Sequence, residues 1–198
     1  MYMIYFVRHR ATDWNENKNA AGEKDPKFQG RIDIPLNQNG IKQAQVMEKI
    51  LKDKQFNRVI CSPLTRAKQT CSLIYHGSVP VEFDERIIER DFGEFEGKIR
   101  NEFDYHNFCN RFSNQKHERA ETIEDVEKRV FNLLDELSEK PNQDVLIISH
   151  GGVGCVLISY FKGIPENGDY TNFLLPHGQP LILDFKELVK ENNIDKTM

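Results

Sequence analysis

The chain has 198 residues, which is the size of one globular domain. Hydrophobic residues make up 38% and charged residues 29%, a balance that excludes a disordered chain. With 27 Lys and Arg against 31 Asp and Glu, the net charge of −4 argues against a general nucleic-acid binder, and no apolar run approaches the roughly 20 residues of a membrane span.

The first part of the chain alternates short apolar runs with helical patterns. Residues 2–7 form a continuous apolar run, which is typical of a strand buried on both faces. Residues 8–36 are polar and contain two prolines, so we expect a long functional loop. Apolar residues recur at helical spacing over residues 38–53. Residues 58–61 predict a second short strand, and a proline at the start of residues 63–75 predicts the opening of a second helix.

The middle of the chain contains one element with a weak sequence pattern, a short strand, and one with a strong pattern, a helix. Residues 79–83 predict an edge strand, because Pro80 cannot donate a hydrogen bond to a neighbouring strand. Residues 122–138 give the clearest helical pattern of the chain. Thr122 and Asp125 resemble a capping box at its start.

The last part of the chain continues the alternation. Residues 144–148 predict a buried strand, residues 152–161 a helix and residues 181–185 a final strand, with a frayed tail from about residue 187. Strands that alternate with helices predict a single α/β domain over residues 1–198. We expect three layers, with a mostly parallel central sheet and helices on both faces.

Two histidines follow predicted strands at their carboxyl ends, where parallel sheets bind ligands. His9 lies between Arg8 and Arg10 after the first strand. A neutral imidazole is a competent nucleophile toward phosphorus, and flanking guanidinium groups favour the neutral ring while they attract an anion. A structural or merely exposed histidine is the alternative interpretation of His9 taken alone.

The second histidine, His150, lies in a Ser-His-Gly-Gly turn before a helix. Glycines there let backbone N–H groups approach an anion, although a capping turn is the alternative. Arg66, near the start of another helix that follows a strand, is a further candidate anion ligand, and a solvated surface arginine is the alternative.

A carboxyl group near these residues could protonate a leaving alkoxide and later deprotonate water. Residues 89–96 contain the carboxylates of Glu89, Asp91, Glu94 and Glu96, and composition alone does not choose among them. A charged surface loop is the alternative interpretation of this segment.

The cysteines point to a reducing compartment. Cys61, Cys71, Cys109 and Cys155 are scattered without metal-ligand spacing, and we expect free thiols. The start of the chain has no signal-peptide pattern, so the expected location is cytoplasmic.

Six short segments follow one another along the chain. They are residues 7–15 (VRHRATDWN), 28–40 (FQGRIDIPLNQNG), 62–70 (SPLTRAKQT), 88–97 (IERDFGEFEG), 120–122 (AET) and 149–152 (SHGG). In this order they resemble the motifs of the histidine phosphatase superfamily, the phosphoglycerate mutase-like proteins. The similarity covers about residues 3–185.

The resemblance implies a phosphoglycerate mutase-like fold and a role for each matching residue. His9 would be the nucleophile that becomes phosphohistidine, and Glu89 would be the general acid and then the general base. The phosphate oxygens would be held by Arg8, Asn15, Arg66 and the second catalytic histidine, His150. Gln29, Gly30 and Gly151 would line the site. The family uses no metal, so the resemblance implies neither a metal nor another cofactor.

Arg10 departs from the family pattern, which has glycine at this position. The arginine side chain could cover the pocket mouth and favour substrates with a second anionic group, or it could point to solvent or crowd His9. His177, in a Pro-His-Gly turn, is a weaker candidate for the pocket mouth.

Three functions fit the resemblance. The first is a metal-independent phosphomonoesterase that acts on a small phosphorylated metabolite. The second is a cofactor-dependent phosphoglycerate mutase, and the third is a non-catalytic regulator that binds a phosphorylated ligand. The segment around Glu89 is closer to the hydrolase pattern, and the chain is short for a mutase. The sequence identifies neither the substrate nor the oligomeric state.

Overall fold

A sheet of five strands runs through the computed structural model, which describes residues 3–113, 117–140, 142–173, 175 and 178–186. The strands are β1 (Met3–Arg8), β2 (Arg58–Cys61), β3 (Val81–Phe83), β4 (Val145–Ser149) and β5 (Leu181–Asp184). The α-helices are α1 (Gln38–Leu51), α2 (Thr65–Ile74), α3 (Tyr105–Phe108), α4 (Ile123–Ser138) and α5 (Gly151–Lys162). Short 3₁₀ turns occupy residues 85–87, 93–95, 100–102 and 170–172.

The strand order is β3-β2-β4-β1-β5. The first four of these strands are parallel, and β5 is antiparallel to β1 at the edge. In the register between β1 and β4, Arg8 lies opposite Ser149. The carboxyl ends of these two strands therefore meet at one edge of the sheet, where the topology favours a ligand site.

Helices cover both faces of the sheet and create two apolar cores. Ile4 and Phe6 of β1 pack into the core that contains α4 and α5. Tyr5 and Val7 point to the opposite face and pack with α1 and α2. Burial on both faces explains why β1 reads as a continuous apolar run. The predicted single α/β domain with three layers and a mostly parallel sheet is confirmed.

Most element boundaries agree with the sequence pattern to within two residues. The strand predicted over residues 58–61 is observed with these bounds, and Thr122 caps α4 in a capping box with Asp125. The predicted loop forms the connection between β1 and α1 and contains isolated bridges such as Lys18 with Lys24. Neither α3 nor the 3₁₀ turns were predicted, because elements of three or four residues carry too little periodicity. The tail predicted from about residue 187 lies outside the described residues, so the domain limits of 1–198 stay a prediction.

Candidate active site

The two predicted site histidines lie together at the junction of β1 and β4. His9 follows β1 directly, and its backbone N–H donates to the carbonyl of Ser149 at 2.8 Å. His150 occupies the N-cap position of α5, and its side chain makes no capping hydrogen bond there. The centroids of the two imidazole rings are 5.2 Å apart, with planes inclined by 58°. The parallel register thus brings together residues that are 141 positions apart in sequence.

The environment of His9 keeps its imidazole neutral. Its Nδ1 lies 2.8 Å from the carbonyl oxygen of Arg10, so Nδ1 carries the proton and donates it. Burial lowers the pKa of His9 well below its usual value, and the guanidinium groups of Arg66 and Arg8 lower it further. A neutral ring protonated on Nδ1 has a lone pair on Nε2, which is the atom that a nucleophilic histidine uses.

His150 is held in an equally dry environment. Its side chain is fully buried, and its Nε2 lies 2.6 Å from the hydroxyl oxygen of Ser62. Burial lowers the pKa of His150 well below its usual value, and the charge of Arg66 acts in the same direction. Its Nδ1 is buried and has no hydrogen-bond partner among the described residues. When the Ser62 hydroxyl donates to Nε2, Nδ1 carries the proton and is the donor available to an anion.

Glu89 is the carboxylate that lines the cavity beside His9. It is buried, and its oxygens accept hydrogen bonds from the backbone N–H groups of Arg90 at 2.9 Å and Gly152 at 3.1 Å. A Cβ atom at position 152 would lie 2.7 Å from Glu89 Oε1, so the glycine permits this close approach. Glu94 is exposed, and Glu96 accepts backbone N–H groups from residues 30–32. Among the nearby carboxylates, geometry therefore selects Glu89.

The predicted cations occupy two different positions. Arg8, at the end of β1, lines the cavity, and its guanidinium lies against Gly151. Arg66 is fully buried, and its terminal nitrogens donate to the carbonyls of Gly30 at 2.6 Å and Ile32 at 3.1 Å. Arg66 therefore fixes the loop over residues 30–32, and its charge favours the neutral form of both histidines.

A cavity of about 320 Å³, which we call the first cavity, joins these groups. Its walls include six predicted residues, namely Arg8, His9, Asn15, Gln29, Glu89 and Gly151. The side-chain oxygen of Gln29 accepts from the Thr12 hydroxyl at 2.8 Å, whereas its buried Nε2 has no partner among the described residues. The remaining walls combine apolar and aromatic side chains, such as Phe28 and Phe173, with the cationic residues Lys27, Arg90 and Arg100.

The other predicted residues lie close by but outside the first cavity. Arg66, His150 and Gly30 are absent from its walls as the structure describes them, and Arg10 faces a second, adjoining cavity. Gly30 packs against Glu96 and the Arg90 carbonyl, where a Cβ atom would lie within 2.3 Å of both. The side chain of His177 lies outside the described residues.

Two interactions that hold His150 and Glu89 in place were not predicted from the sequence. Ser62, which positions His150, belongs to the quoted SPLTRAKQT segment, and its place directly after β2 was the available signal. Arg129 of α4 donates to the carbonyls of Arg86 and Ile88 at 2.8 and 2.6 Å and pairs with Glu121 at 3.0 Å. These contacts anchor the segment that leads into Glu89, and nothing in the local pattern of α4 indicates them.

The described part of the chain contains no group of three or more His, Cys, Asp or Glu side chains placed to hold a metal ion. None of its helices is long and apolar enough to cross a membrane. Its cysteines at positions 61, 71, 109 and 155 are free, as predicted.

Known proteins share both the sequence pattern and the fold. The family model described as histidine phosphatase superfamily (branch 1) matches residues 4–187. The phosphatase PhoE of Bacillus subtilis is 33% identical over 166 residues, which cover 82% of this chain and 79% of PhoE. The α-ribazole phosphatase structure from Shigella flexneri is 27% identical with a TM-score of 0.76, covering 92% of this chain and 90% of that one. A phosphoserine phosphatase from Entamoeba histolytica, in complex with 3-phosphoglyceric acid, is 26% identical with a TM-score of 0.74, covering 93% and 96%.

We expect the Ser62→Ala substitution to weaken the binding of inorganic phosphate about three- to tenfold. The substitution removes the hydroxyl that holds Nε2 of His150, so Nδ1 is no longer fixed as a donor. Isothermal titration calorimetry with phosphate measures the change. Ser72→Ala, in the exposed part of α2, is the matched control and should bind phosphate like the unmodified protein. An unchanged phosphate affinity in Ser62→Ala would contradict this role of Ser62.

Proposed function

Because this chain belongs to the histidine phosphatase superfamily (branch 1), we propose that it hydrolyses small phosphomonoesters through a phosphohistidine on His9, without a metal ion. Its relatives include several named phosphatases, and the protein is a phosphoric monoester hydrolase of this superfamily. One observation carries the covalent mechanism. A buried, neutral imidazole with its Nε2 lone pair available shares a cavity with Arg8 and Glu89.

Substrate binding uses the donors around His9. Arg8 supplies a guanidinium fork to the phosphate oxygens, and Gln29 Nε2 and His150 Nδ1 are buried donors that have no acceptor among the described side chains. Asn15 lines the same cavity. These positive and donor groups stabilise the charge that spreads over the phosphoryl oxygens in the transition state.

The first chemical step transfers the phosphoryl group to His9. Nε2 attacks phosphorus while the bond to the leaving oxygen breaks, and protonated Glu89 gives its proton to that oxygen. The alcohol departs, and Nδ1–H continues to donate to the Arg10 carbonyl, which stabilises the cationic phosphohistidine. Glu89 is then ionised and accepts hydrogen bonds from the N–H groups of Arg90 and Gly152.

The second step regenerates the enzyme. A water molecule attacks phosphorus, Glu89 takes its proton, and the bond from phosphorus to Nε2 breaks. Inorganic phosphate leaves, His9 returns to the neutral form, and Glu89 is again protonated. Because Glu89 serves first as acid and then as base, one carboxyl group in contact with the first cavity suffices for both steps.

The substrate class follows from the size and lining of the first cavity. A volume of about 320 Å³, lined by apolar and aromatic side chains and by three further cationic residues, fits the alcohol part of a small phosphorylated metabolite. The net charge of −4 gives no support to a nucleic-acid substrate. The cytoplasmic location stays a prediction.

We expect rapid alkaline denaturation of a reaction with labelled substrate to leave phosphate on His9, because the phosphorus–nitrogen bond of phosphohistidine is stable in base and hydrolysed in acid. Mass spectrometry of the digested protein locates the label, and the His9→Ala variant should carry none. His76→Ala alters an exposed histidine that lines neither cavity. It is the matched control and should still be labelled at His9. Turnover that is lost in EDTA and restored by Mg²⁺ would contradict the proposal, as would label on another residue.

The Glu89→Gln substitution should lower the turnover of alkyl phosphates by about 10²–10⁴-fold, and that of aryl phosphates far less. An alkoxide is a poor leaving group that needs a proton, whereas a phenolate leaves with little help. The measurement compares kcat for glycerol 2-phosphate and 4-nitrophenyl phosphate, with Glu94→Gln as the control in the same segment. Equal losses on both substrates would show that Glu89 is not the general acid.

The same assays separate hydrolysis from the alternatives. Phosphate release without exchange between 3- and 2-phosphoglycerate, tested with 2,3-bisphosphoglycerate present, is the expected result. A mutase would catalyse the exchange, and a regulator that only binds the ligand would show neither reaction.

A further inference from the structure

A second cavity, of about 390 Å³, lies directly beside the nucleophile. It shares Arg8, His9 and Asn15 with the first cavity, so the two spaces meet at the phosphate-binding groups. Arg10, the residue that replaces the family's glycine, lines the second cavity and not the first. The mechanism described above uses the backbone carbonyl of Arg10, but it uses none of the side chains that belong to the second cavity alone.

The second cavity is positively charged. Its walls contain Arg8, Arg10 and Lys24, and none of these three side chains forms an ion pair with any residue that the structure describes. Unpaired cations gathered around a concave surface raise the local concentration of anions. The cavity therefore has the charge of an anion site.

The one carboxylate in these walls, as far as the structure describes them, is already engaged. Glu16 accepts hydrogen bonds from the side-chain amides of Asn37 at 2.9 Å and Asn39 at 2.5 Å. These bonds hold its carboxylate toward α1. Glu16 keeps its negative charge but forms no ion pair with Arg10 among the described residues, and the three cations of the walls outnumber it.

The position of Arg10 is fixed by its backbone. Its N–H donates to the Thr70 hydroxyl at 3.2 Å, and its carbonyl accepts from His9 Nδ1 at 2.8 Å. Its Nε is buried without a hydrogen-bond partner among the described residues. Burial, followed by the charge of Arg8, lowers the pKa of Arg10 to about 10, so the guanidinium stays charged at neutral pH. Arg10 is half-buried, and a half-buried cation with an unused donor is stabilised when an anion binds beside it.

We propose that Arg10 binds a second anionic group of the substrate, so that the enzyme prefers phosphomonoesters whose alcohol part carries a carboxylate or another phosphate. This inference rests on the proposed phosphatase function. The shared wall explains how one small molecule reaches both cavities. A phosphate held by Arg8 and Asn15 lies at their junction, and an anionic substituent a few bonds away extends toward Arg10.

The test compares two substrates that differ in one group. 3-Phosphoglycerate has a carboxylate where glycerol 3-phosphate has a hydroxymethyl group, and phosphate release gives kcat/KM for each. We expect the unmodified enzyme to prefer 3-phosphoglycerate, and Arg10→Gln to lower this preference about five- to tenfold. The loss should shrink as the salt concentration rises, because the pair is accessible to solvent.

Two variants serve as controls. Arg10→Lys keeps the charge and should retain most of the preference. Lys42→Gln removes a cation from the exposed face of α1, outside both cavities, and should keep the full preference. All three variants preserve the backbone hydrogen bonds of residue 10.

Each contrary result has a distinct meaning. An unchanged preference in Arg10→Gln would overturn the role of Arg10 and leave the phosphatase function intact. An equal loss on both substrates would also overturn it, because Arg10 would then act on the common phosphate. If the unmodified protein hydrolyses neither these substrates nor 4-nitrophenyl phosphate, and His9 carries no label, the proposed function fails and this inference fails with it.

Discussion

Two imidazole rings are buried side by side among guanidinium groups, and the chemistry of the site depends on the cost of charging them. Burial removes the hydration that would stabilise an imidazolium, and Arg66 and Arg8 add electrostatic repulsion. Both rings are therefore neutral. In the proposed mechanism, one neutral ring offers a lone pair to phosphorus, and the other offers a proton to a phosphate oxygen. The same guanidinium groups attract the substrate, so its charge compensates theirs.

Hydrogen bonds determine which nitrogen of each imidazole ring carries the proton and which nitrogen has the lone pair. The Arg10 carbonyl fixes the proton of His9 on Nδ1, and the Ser62 hydroxyl occupies Nε2 of His150. Glu89, which lines the same cavity as His9, is placed by backbone N–H groups, one of which belongs to Gly152 in the turn that carries His150. The turn after β4 thus positions the second histidine and the proposed general acid together. A side chain at Gly152 would disturb this arrangement, because there is no room for a Cβ atom.

The sequence was sufficient to predict the order of strands and helices, and to predict that His9 and His150 follow strands at their carboxyl ends. Continuous apolar runs predicted the buried strands, and the alternation with helices predicted a parallel sheet whose carboxyl edge would gather His9 and His150. The choice of Glu89 among neighbouring carboxylates came only from the family resemblance, since composition gave no preference. The structure supplies the physical reason, because Glu89 reaches the first cavity and Glu94 is exposed.

Other features depended on long-range contacts that no local pattern contains. Ser62 meets His150 across 88 residues, and Arg129 reaches the carbonyl of Ile88 from a helix whose periodicity shows only its buried face. Arg66 was predicted as a phosphate ligand, and the structure shows that it also ties down the loop at Gly30. The surroundings of Arg10 were equally hidden, because they combine a strand end with distant loop residues.

The protonation states of His9 and His150 show directly whether burial and the neighbouring guanidinium groups keep both rings neutral. Nitrogen-15 NMR of the histidine side chains, titrated from about pH 8 to about pH 5.5, reports both the charge and the tautomer of each ring. We predict that both rings stay neutral throughout and carry their proton on Nδ1, whereas a histidine in an unfolded peptide titrates at about pH 6.5. An imidazolium at either position at neutral pH, or His9 protonated on Nε2, would contradict this prediction and the proposed roles of the two rings.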